Sequence, residues 1–394
     1  MRLFDEIPRN DVRPKRQNEP SFDYMNISAR PGVRAVRSLL QNWFDHLPEV
    51  AKADICGRFR DRDEIQNSSS FFELFCHELL LRSGYDVEIH PAIPDVSTSP
   101  DFLVSREGHP RFYLEATLAT PPRDELAADR RIAELHDTLN RMETPDYFLG
   151  IDYRGHPQGN INGRNVRKRI EEWLKTLDFE SIAQKYREQK YEEVPSFDWN
   201  ESGCTFTFKP RPKGPRFRGQ PGARPVGMVF PADMRLLSTH EDIRAAIDGK
   251  AKKYGNLDLP LVVAVNVTND FCDDDDVWSA LFGDDQIVVT IQKDGQLRNE
   301  PRRALNGAWR GRNGPRNALV SAVIVVHQLS PTTLRSCGTK AVHHPWALHA
   351  LPKDALELPQ HLIDPASGQI SCKPGMAACD ILGVAAPWPI PDSP

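Results

Sequence analysis

The chain lacks several features that would place it quickly in a functional class. Its seven cysteines are scattered and no CxxC pair occurs, so the sequence offers neither a disulfide framework nor a zinc-ribbon site. No apolar run approaches the length of a membrane span, and the polar N-terminus has no apolar core of a secretory signal. These absences predict a cytoplasmic protein without a membrane segment.

The chain also lacks overall basic character. Its formal net charge is −5, with 27% charged and 39% hydrophobic residues, which is ordinary for a globular protein. Any surface that binds nucleic acid must therefore be local. The length of 394 residues allows two or three domains, or one large domain with insertions.

Hydrophobic periodicity indicates both helices and strands in the first part of the chain. Residues 1–30 are expected to form a mobile arm. The predicted helices are 33–49, 68–85 and 123–142. The predicted strands are 86–90, 101–105, 111–117 and 147–153. A hairpin followed by a crossover predicts a mixed α/β fold, in which helices flank a mixed sheet.

Two basic stretches lie farther along the chain, between other predicted elements. A helix is predicted over 238–255, with buried strands over 259–267 and 318–326. Residues 209–225 hold six basic residues and no acid, and their proline and glycine content predicts a loop. Residues 298–316 hold six arginines and one glutamate. Positive charge is therefore segregated in a chain that is acidic overall.

Flexible basic loops suit contacts with the phosphates of nucleic acid, because lysine and arginine neutralise the backbone charge. Arginine adds bidentate contacts to phosphate or guanine. The alternative for both stretches is a solubilising loop without a ligand. The candidate nucleic-acid-binding residues are Arg211, Lys213, Arg216, Arg218, Arg302, Arg303, Arg310 and Arg312.

Two acids stand at the outer ends of a predicted hairpin, SPDFLVSREGHPRFYLEAT, residues 99–117. If the turn centres on Gly108, Asp101 and Glu115 are equally distant from it and lie opposite each other. Opposed carboxylates repel across a β-ladder, and a divalent cation such as Mg²⁺ would compensate the repulsion. The alternative is a pair of solvated acids at a sheet edge.

The same stretch resembles a known pattern. PDFLV followed by YLEAT is similar to the motif of the PD-(D/E)xK nuclease superfamily, which has the restriction-endonuclease-like fold. The order helix, three strands, helix, strand over residues 69–153 is similar to the common core of that superfamily. The resemblance covers under a quarter of the chain.

The resemblance implies a metal-dependent endonuclease that hydrolyses DNA phosphodiester bonds, in restriction or phage defence. Asp101 and Glu115 would be catalytic ligands of Mg²⁺ or Mn²⁺, and Glu73 in the first core helix would be a third ligand. A metal-activated water would attack the phosphodiester phosphorus. DNA is the implied partner, and a protein partner in a defence system and oligomerisation are both compatible with the family.

The chain departs from the pattern at Thr117, where the motif implies a lysine. Threonine cannot supply a positive charge to the attacking water or the scissile phosphate. Lys250 and Lys253 lie three residues apart on one face of the predicted helix 238–255, so they are the candidates to replace it. Lys253 is the first choice because it lies nearer the following strand. The alternative is that both lysines only favour the negative end of the helix dipole.

Two other functions remain open on the same residues. A chain without a replacement lysine would be a catalytically inactive restriction-endonuclease-like DNA-binding or assembly subunit. A third hypothesis is that the chain is an interaction protein whose basic loops bind an acidic partner.

The predicted organisation has four segments. Residues 1–66 form the N-terminal arm and a helical segment, and residues 67–155 form the PD-(D/E)xK-like core. Residues 156–225 form a helical insertion with a basic loop. Residues 226–394 form a larger C-terminal α/β part that completes or elaborates the core.

Overall fold

A computed structural model describes residues 1–93, 98–220, 224–232, 238–255, 257–269, 272–292 and 296–391. The helices are α1 (Ser21–Ile27), α2 (Pro31–Asp45), α3 (Glu49–Phe59), α4 (Glu64–Arg82), α5 (Arg123–Leu139), α6 (Gly163–Leu174), α7 (Phe179–Arg187), α8 (Thr239–Ala251), α9 (Asp274–Phe282) and α10 (Ala378–Ile381). The strands are β1 (Asp86–Ile89), β2 (Phe102–Arg106), β3 (His109–Ala119), β4 (Tyr147–Arg154), β5 (Phe197–Glu201), β6 (Cys204–Pro212), β7 (Val226–Pro231), β8 (Leu261–Val267), β9 (Asp285–Ile291), β10 (Leu297–Arg303), β11 (Arg310–Gly311), β12 (Gly314–Pro315), β13 (Val320–His327), β14 (Thr339–His343), β15 (Gln360–Ile363) and β16 (Ile370–Lys373). None of the helices in these ranges has the length and apolar character needed to cross a bilayer.

The chain divides into two compact units. The first comprises Met1–Arg13, Pro20–Thr120 and Leu237–Pro394, and the second comprises Pro14–Glu19 and Pro121–Leu236. Most of the second unit is therefore inserted between β3 and α8 of the first. This division differs from the four segments expected from the sequence, because the last part of the expected core joins the inserted unit.

The first unit is built on an eight-stranded mixed sheet. Its strand order is β1-β2-β3-β8-β13-β14-β15-β16. Strands β1, β2 and β3 are antiparallel neighbours, whereas β3, β8 and β13 run parallel to one another. Parallel neighbours require a crossover, and α8 lies in the crossover from β3 to β8. The predicted mixed α/β fold with helices beside a mixed sheet is confirmed at this level.

Alternation along β3 assigns its side chains to the two faces of the sheet. Leu114 belongs to the apolar cluster that includes Phe72 of α4, whereas Tyr113 belongs to the cluster that includes Ile247 of α8. Successive side chains of a strand point to opposite faces. Glu115 therefore shares the α8 face with Tyr113, and α8 can deliver side chains to it.

The second unit contains its own sheet, of strand order β5-β6-β4-β7. Strand β4 pairs with β6 and β7 in this sheet, and its Leu149 packs in one apolar cluster with Leu135 of α5. The expectation that the helix and strand up to residue 153 complete the core of β1, β2 and β3 is therefore wrong. The parallel neighbour of β3 is β8 because the strand that follows β3 in sequence belongs to the inserted unit.

The N-terminal residues are packed, which corrects the expected mobile arm. Leu3 is 0% exposed and Phe4 is 6% exposed. The ring of Phe4 stacks on Phe22 of α1, with 6.0 Å between centroids, and meets Phe59 of α3 edge-on at 5.7 Å. Aromatic pairs of this kind anchor the segment to the helices that follow it.

The first basic stretch begins inside a strand rather than in a loop. Strand β6 continues to Pro212, and its Pro210 and Pro212 lie opposite Leu149 and Tyr147 of β4. The other neighbour, β5, stops pairing at Phe208. Because no described strand pairs with this edge of β6 beyond Phe208, the prolines remove no ladder hydrogen bond from a second described partner.

The second basic stretch is also largely ordered into strands, contrary to the expected flexible loop. Strands β9 and β10 form one hairpin, and β11 and β12 form another. Between them, Trp309 is 0% exposed and lies 4.5 Å from the ring of His344, measured between centroids. An arginine-rich sequence is held here by a buried aromatic anchor.

We predict that His344 makes the stability of the protein fall in mild acid. Burial lowers its pKa from 6.5 to about 4, against the opposing effect of the hydrogen bond to Arg316 O. In the neutral ring, Nε2 donates to Arg316 O and Nδ1 accepts from Trp346 N. A base with a lowered pKa contributes its full stability above its unfolded pKa and loses it as the pH falls towards the folded pKa. The loss between pH 7 and pH 5 should be about 2 kcal/mol, measured by urea denaturation.

A His344→Gln variant should lose about 2 kcal/mol less over that pH interval than the wild type. The exposed His109 offers a matched control, and His109→Gln should keep the wild-type pH dependence. Equal pH dependence of wild type and His344→Gln would contradict the prediction.

Candidate functional site

A tight turn joins the two strands that carry the predicted acids. Arg106 pairs with His109, so Glu107 and Gly108 are the two turn residues. Their φ angles are 54° and 76°, as a two-residue type I′ hairpin turn requires. Glycine adopts this conformation without strain. The turn is therefore centred between Glu107 and Gly108, half a residue before the expected centre.

A β-bulge restores the register that the sequence predicted. The pairing shifts by one residue where Arg111 is left without a counterpart, and beyond it Phe102 lies opposite Leu114. Asp101 immediately precedes β2, so the same register brings it beside Glu115 of β3. The two acids are close enough for the charge of Glu115 to raise the pKa of Asp101. The structure thus brings together the pair on which the sequence prediction depends.

The carboxylate of Glu115 is fully buried and contacts two lysines of the α8 region. Glu115 is 0% exposed. Lys250 Nζ donates a short hydrogen bond to its Oε2, and Lys253 Nζ lies 3.4 Å from its Oε1. The lysine side chains are 21% and 36% exposed, respectively. A buried carboxylate is stable only with such partners.

Asp101 adds a second charge to this centre. Its Oδ2 accepts a 2.7 Å hydrogen bond from Ala116 N. Burial and the neighbouring Glu115 raise the pKa of Asp101 to about 6, against the opposing effect of Lys250. Burial alone would lower the pKa of Lys250, but the charges of Asp101 and Glu115 raise it. The centre therefore consists of two neighbouring acids, with Lys250 bound to Glu115 and electrostatically attracted to Asp101.

The structure reverses the expected order of the two lysines. Lys250 is the more buried and the closer to Glu115, whereas Lys253 was the first choice. Lys253 follows the end of α8, while Lys250 lies in its last turn and points along the face packed on the sheet. Thr117 stands two residues after Glu115 on the same face of β3. The positive charge absent at Thr117 is present nearby, on a different element.

Glu73, the third predicted ligand, is held by an arginine that the sequence interpretation missed. Arg58 of α3 donates to both carboxylate oxygens of Glu73, at 2.7 and 2.6 Å. It also binds Asp54, four residues earlier on α3, at 2.7 Å. Asp54 and Arg58 form an i,i+4 pair that is visible in the sequence. Nothing in the sequence indicates the contact of Arg58 with Glu73 on the next helix.

A cleft of about 530 Å³ opens beside these acids. Asp101, Glu73 and Arg58 line one part of it, and Ile55 and Phe102 line an apolar part. Its volume lies within the range of pockets that hold small molecules. A phosphate-bearing group could therefore approach Asp101 from this cleft.

The donor set at Asp101 and Glu115 fits Mg²⁺ or Mn²⁺. Mg²⁺ is commonly held by one or two carboxylates, with other positions left for water and phosphate oxygens. Within the described ranges, no group of three or more His, Cys, Asp or Glu side chains is arranged to hold a metal ion. A cation here would thus rest on two carboxylates, and Glu73 could join it only by releasing Arg58.

The predicted nucleic-acid residues of the second unit differ in exposure. Arg211 and Arg216 are exposed. Arg218 binds Asp146 at 2.7 Å and lies 3.8 Å from the centroid of the Phe179 ring. Lys213 is 4% exposed, which corrects its assignment to a DNA-facing surface.

Lys213 is held inside the second unit by neutral partners. Its Nζ donates to Thr144 O at 2.5 Å and lies 5.1 Å from the centroid of the Phe148 ring. Burial lowers the pKa of this lysine. Lys213 therefore links the end of β6 to the residues before β4.

We predict that Lys213→Ala lowers the stability of the protein by about 2 kcal/mol, because it removes a buried charge-assisted hydrogen bond and its packing. Arg216→Ala, at an exposed neighbour, should change stability by less than about 0.5 kcal/mol. Urea denaturation measures both. A larger loss for Arg216→Ala than for Lys213→Ala would contradict the prediction.

The predicted residues of the first unit lie on the two hairpins. Arg302 binds Glu300 at 3.0 Å and Arg303 binds Asp285 at 3.3 Å. Arg310 and Arg312 are exposed and have no ion-pair partner in the described part of the chain. Arg310 and Arg312 are thus the freer cations of this stretch.

Comparisons with known proteins found no protein similar to this chain. A scan against protein-family models, a search of curated proteins and a search of solved structures each returned no match.

Proposed function

We propose that the chain is a metal-dependent nuclease that hydrolyses DNA phosphodiester bonds, with a restriction-endonuclease-like core. The observation that carries this proposal is the juxtaposition of Asp101, Glu115 and Lys250. An acid immediately before β2, an acid on the neighbouring strand β3 and a lysine from the crossover helix are the charges that the PD-(D/E)xK motif requires. A role in restriction or phage defence follows only from the family resemblance.

The order of elements around the site supports the proposal. After removal of the inserted unit, the first unit reads α4, β1, β2, β3, α8, β8. This is the order of helix, three strands, helix and strand that the resemblance implies, with α8 and β8 in the last two places. The inserted unit would then be an elaboration between the third strand and the second helix.

Each residue of the site would have a separate role in the hydrolysis. Mg²⁺ bound there would polarise a phosphoryl oxygen and lower the pKa of a water molecule. Asp101 and Glu115 would hold the cation, and Asp101 also lines the cleft. Lys250 would place its ammonium group beside the phosphate, where negative charge builds up during hydrolysis. Arg58 would position Glu73 and contribute positive charge to the same cleft.

A non-catalytic DNA-binding or assembly subunit is the second candidate. One observation favours it: Lys250 and Lys253 already neutralise Glu115, and Arg58 already neutralises Glu73. A site in which each of these carboxylates has a cationic partner can be stable without a metal. In that case the fold would be retained for binding.

Cleavage of supercoiled plasmid DNA distinguishes the two candidates. The purified protein should nick or linearise the plasmid with Mg²⁺ or Mn²⁺ and leave it intact in EDTA. Salt-sensitive binding of DNA without cleavage under either condition would instead support the non-catalytic subunit. Failure both to bind and to cleave would contradict both proposals.

A further inference from the structure

A second cleft, separate from the acids, lies between the N-terminal segment Arg2–Arg9 and helix α2. Its volume is about 630 Å³. Arg9, Arg34 and Arg37 line one end, and Gln41 and Asn42 lie farther along α2. The volume is within the range of small-molecule pockets, and the lining is mostly polar.

In the described ranges, the guanidinium groups of Arg9, Arg34 and Arg37 have no carboxylate partner. Arg9 donates to the carbonyl oxygens of Asn26, Ile7 and Asp5. Neutral carbonyl groups orient this guanidinium without cancelling its charge.

Arg37 is fixed in the same way, and Arg34 is free. Arg37 is 8% exposed and donates to Met25 O and Ser28 O. Arg34 is exposed and makes no ion pair in the described part of the chain. Burial, followed by the like charges of Arg9 and Arg34, lowers the pKa of Arg37 to about 10. Two guanidinium groups held by carbonyl oxygens and one exposed guanidinium group thus repel each other and favour an anion.

The acidic residues that line the cleft do not neutralise the positive charge of Arg9, Arg34 and Arg37. Asp5 is paired with Arg60 at 3.1 Å, and Glu6 is paired with Arg2. Asp45 lies eleven residues after Arg34 on α2, a distance of about 16 Å along the helix axis.

The backbone of α2 adds to the attraction. Arg34 lies in the first turns of the helix Pro31–Asp45. Aligned peptide dipoles place partial positive charge at this end of the helix. Side chains and backbone therefore both favour negative charge at the same end of the cleft.

We propose that this cleft binds a phosphate-bearing anion at Arg9, Arg34 and Arg37. Guanidinium groups are suited to phosphate because they donate paired hydrogen bonds in one plane. The phosphate belongs either to a free nucleotide or to a polynucleotide backbone. This site goes beyond the proposed nuclease centre, since neither Asp101 nor Glu115 contributes to it.

Isothermal titration calorimetry with the full chain tests the proposal. The probes are ATP, pyrophosphate and a short DNA duplex, each in EDTA so that divalent cations at the acids play no part. Arg34→Ala should weaken binding of a phosphate probe about tenfold, or 1.4 kcal/mol. Arg62→Ala is the matched control, because the Arg62 side chain is 82% exposed and lies outside the cleft.

The pattern of affinities identifies the source of the phosphate. Arg34-sensitive binding of ATP or pyrophosphate indicates a free phosphate ligand, whereas sensitivity of the duplex alone indicates a nucleic-acid backbone. The proposal is overturned if Arg34→Ala, with a wild-type melting temperature, changes the binding of none of the three probes. Equal weakening by Arg62→Ala would also overturn it, since the effect would then reflect net charge alone.

Discussion

Replacing Glu115 with glutamine should reduce Mg²⁺-dependent DNA cleavage by about a thousandfold. Loss of several kcal/mol of transition-state stabilisation is the expected consequence of removing a metal ligand. Glutamine keeps the size of the side chain and can still accept from Lys250, so the fold should persist. Initial rates of plasmid nicking at saturating Mg²⁺ measure the effect.

A second glutamate of the same sheet provides the control for this prediction. Glu88 lies on β1, is exposed, and faces Leu103 of β2 across the ladder. Glu88→Gln should cleave at the wild-type rate. If Glu115→Gln cleaved as fast as Glu88→Gln, Glu115 would have no role in the reaction.

Replacing Lys250 with methionine should reduce cleavage about a hundredfold and also destabilise the apo protein. The variant removes the closest ammonium group from the site, and electrostatic contributions of one such group are typically worth that factor. It also leaves buried Glu115 with only Lys253, which should cost about 3 kcal/mol of folding stability. Plasmid nicking and urea denaturation measure the two effects separately.

A Lys253→Met variant and the addition of Mg²⁺ separate the effect of Lys250 on catalysis from its effect on folding stability. Lys253→Met should reduce cleavage by less than about tenfold, because Lys253 is the more distant and more exposed lysine. Added Mg²⁺ should stabilise Lys250→Met more than the wild type, since a bound cation replaces the lost charge. Equal losses of activity in both lysine variants would contradict the assignment of Lys250.

The sequence predicted the pairing of Asp101 with Glu115, although the turn and the strands reach that register differently from the expectation. The type I′ turn alone would set Asp101 opposite Leu114, and the bulge at Arg111, for which the sequence contains no signal, brings Glu115 opposite Asp101 instead. Spacing on the predicted helix 238–255 was enough to select Lys250 and Lys253. It could not rank them, because their order depends on how α8 docks on the sheet.

The contacts between residues far apart in the chain could not be predicted from the sequence in the same way. Strand β4 and strand β8 are both apolar, and nothing in their patterns tells which one pairs with β3. Because residues 121–236 form the inserted unit and include β4, the strand that pairs with β3 is β8. The contact of Arg58 with Glu73 depends on the packing of α3 on α4, and the burial of Lys213 depends on its carbonyl partner Thr144. The basic, proline-rich composition of residues 209–225 therefore predicted that Lys213 is exposed, because the sequence does not show its carbonyl partner.

Diffraction at the manganese absorption edge, from crystals soaked in Mn²⁺, would show whether Asp101 and Glu115 bind a metal ion. We expect an anomalous peak about 2.1 Å from carboxylate oxygens of both Asp101 and Glu115, and no such peak in Glu115→Gln crystals. No peak between these two carboxylates, with Lys250 still bound to Glu115 at saturating Mn²⁺, would contradict this expectation.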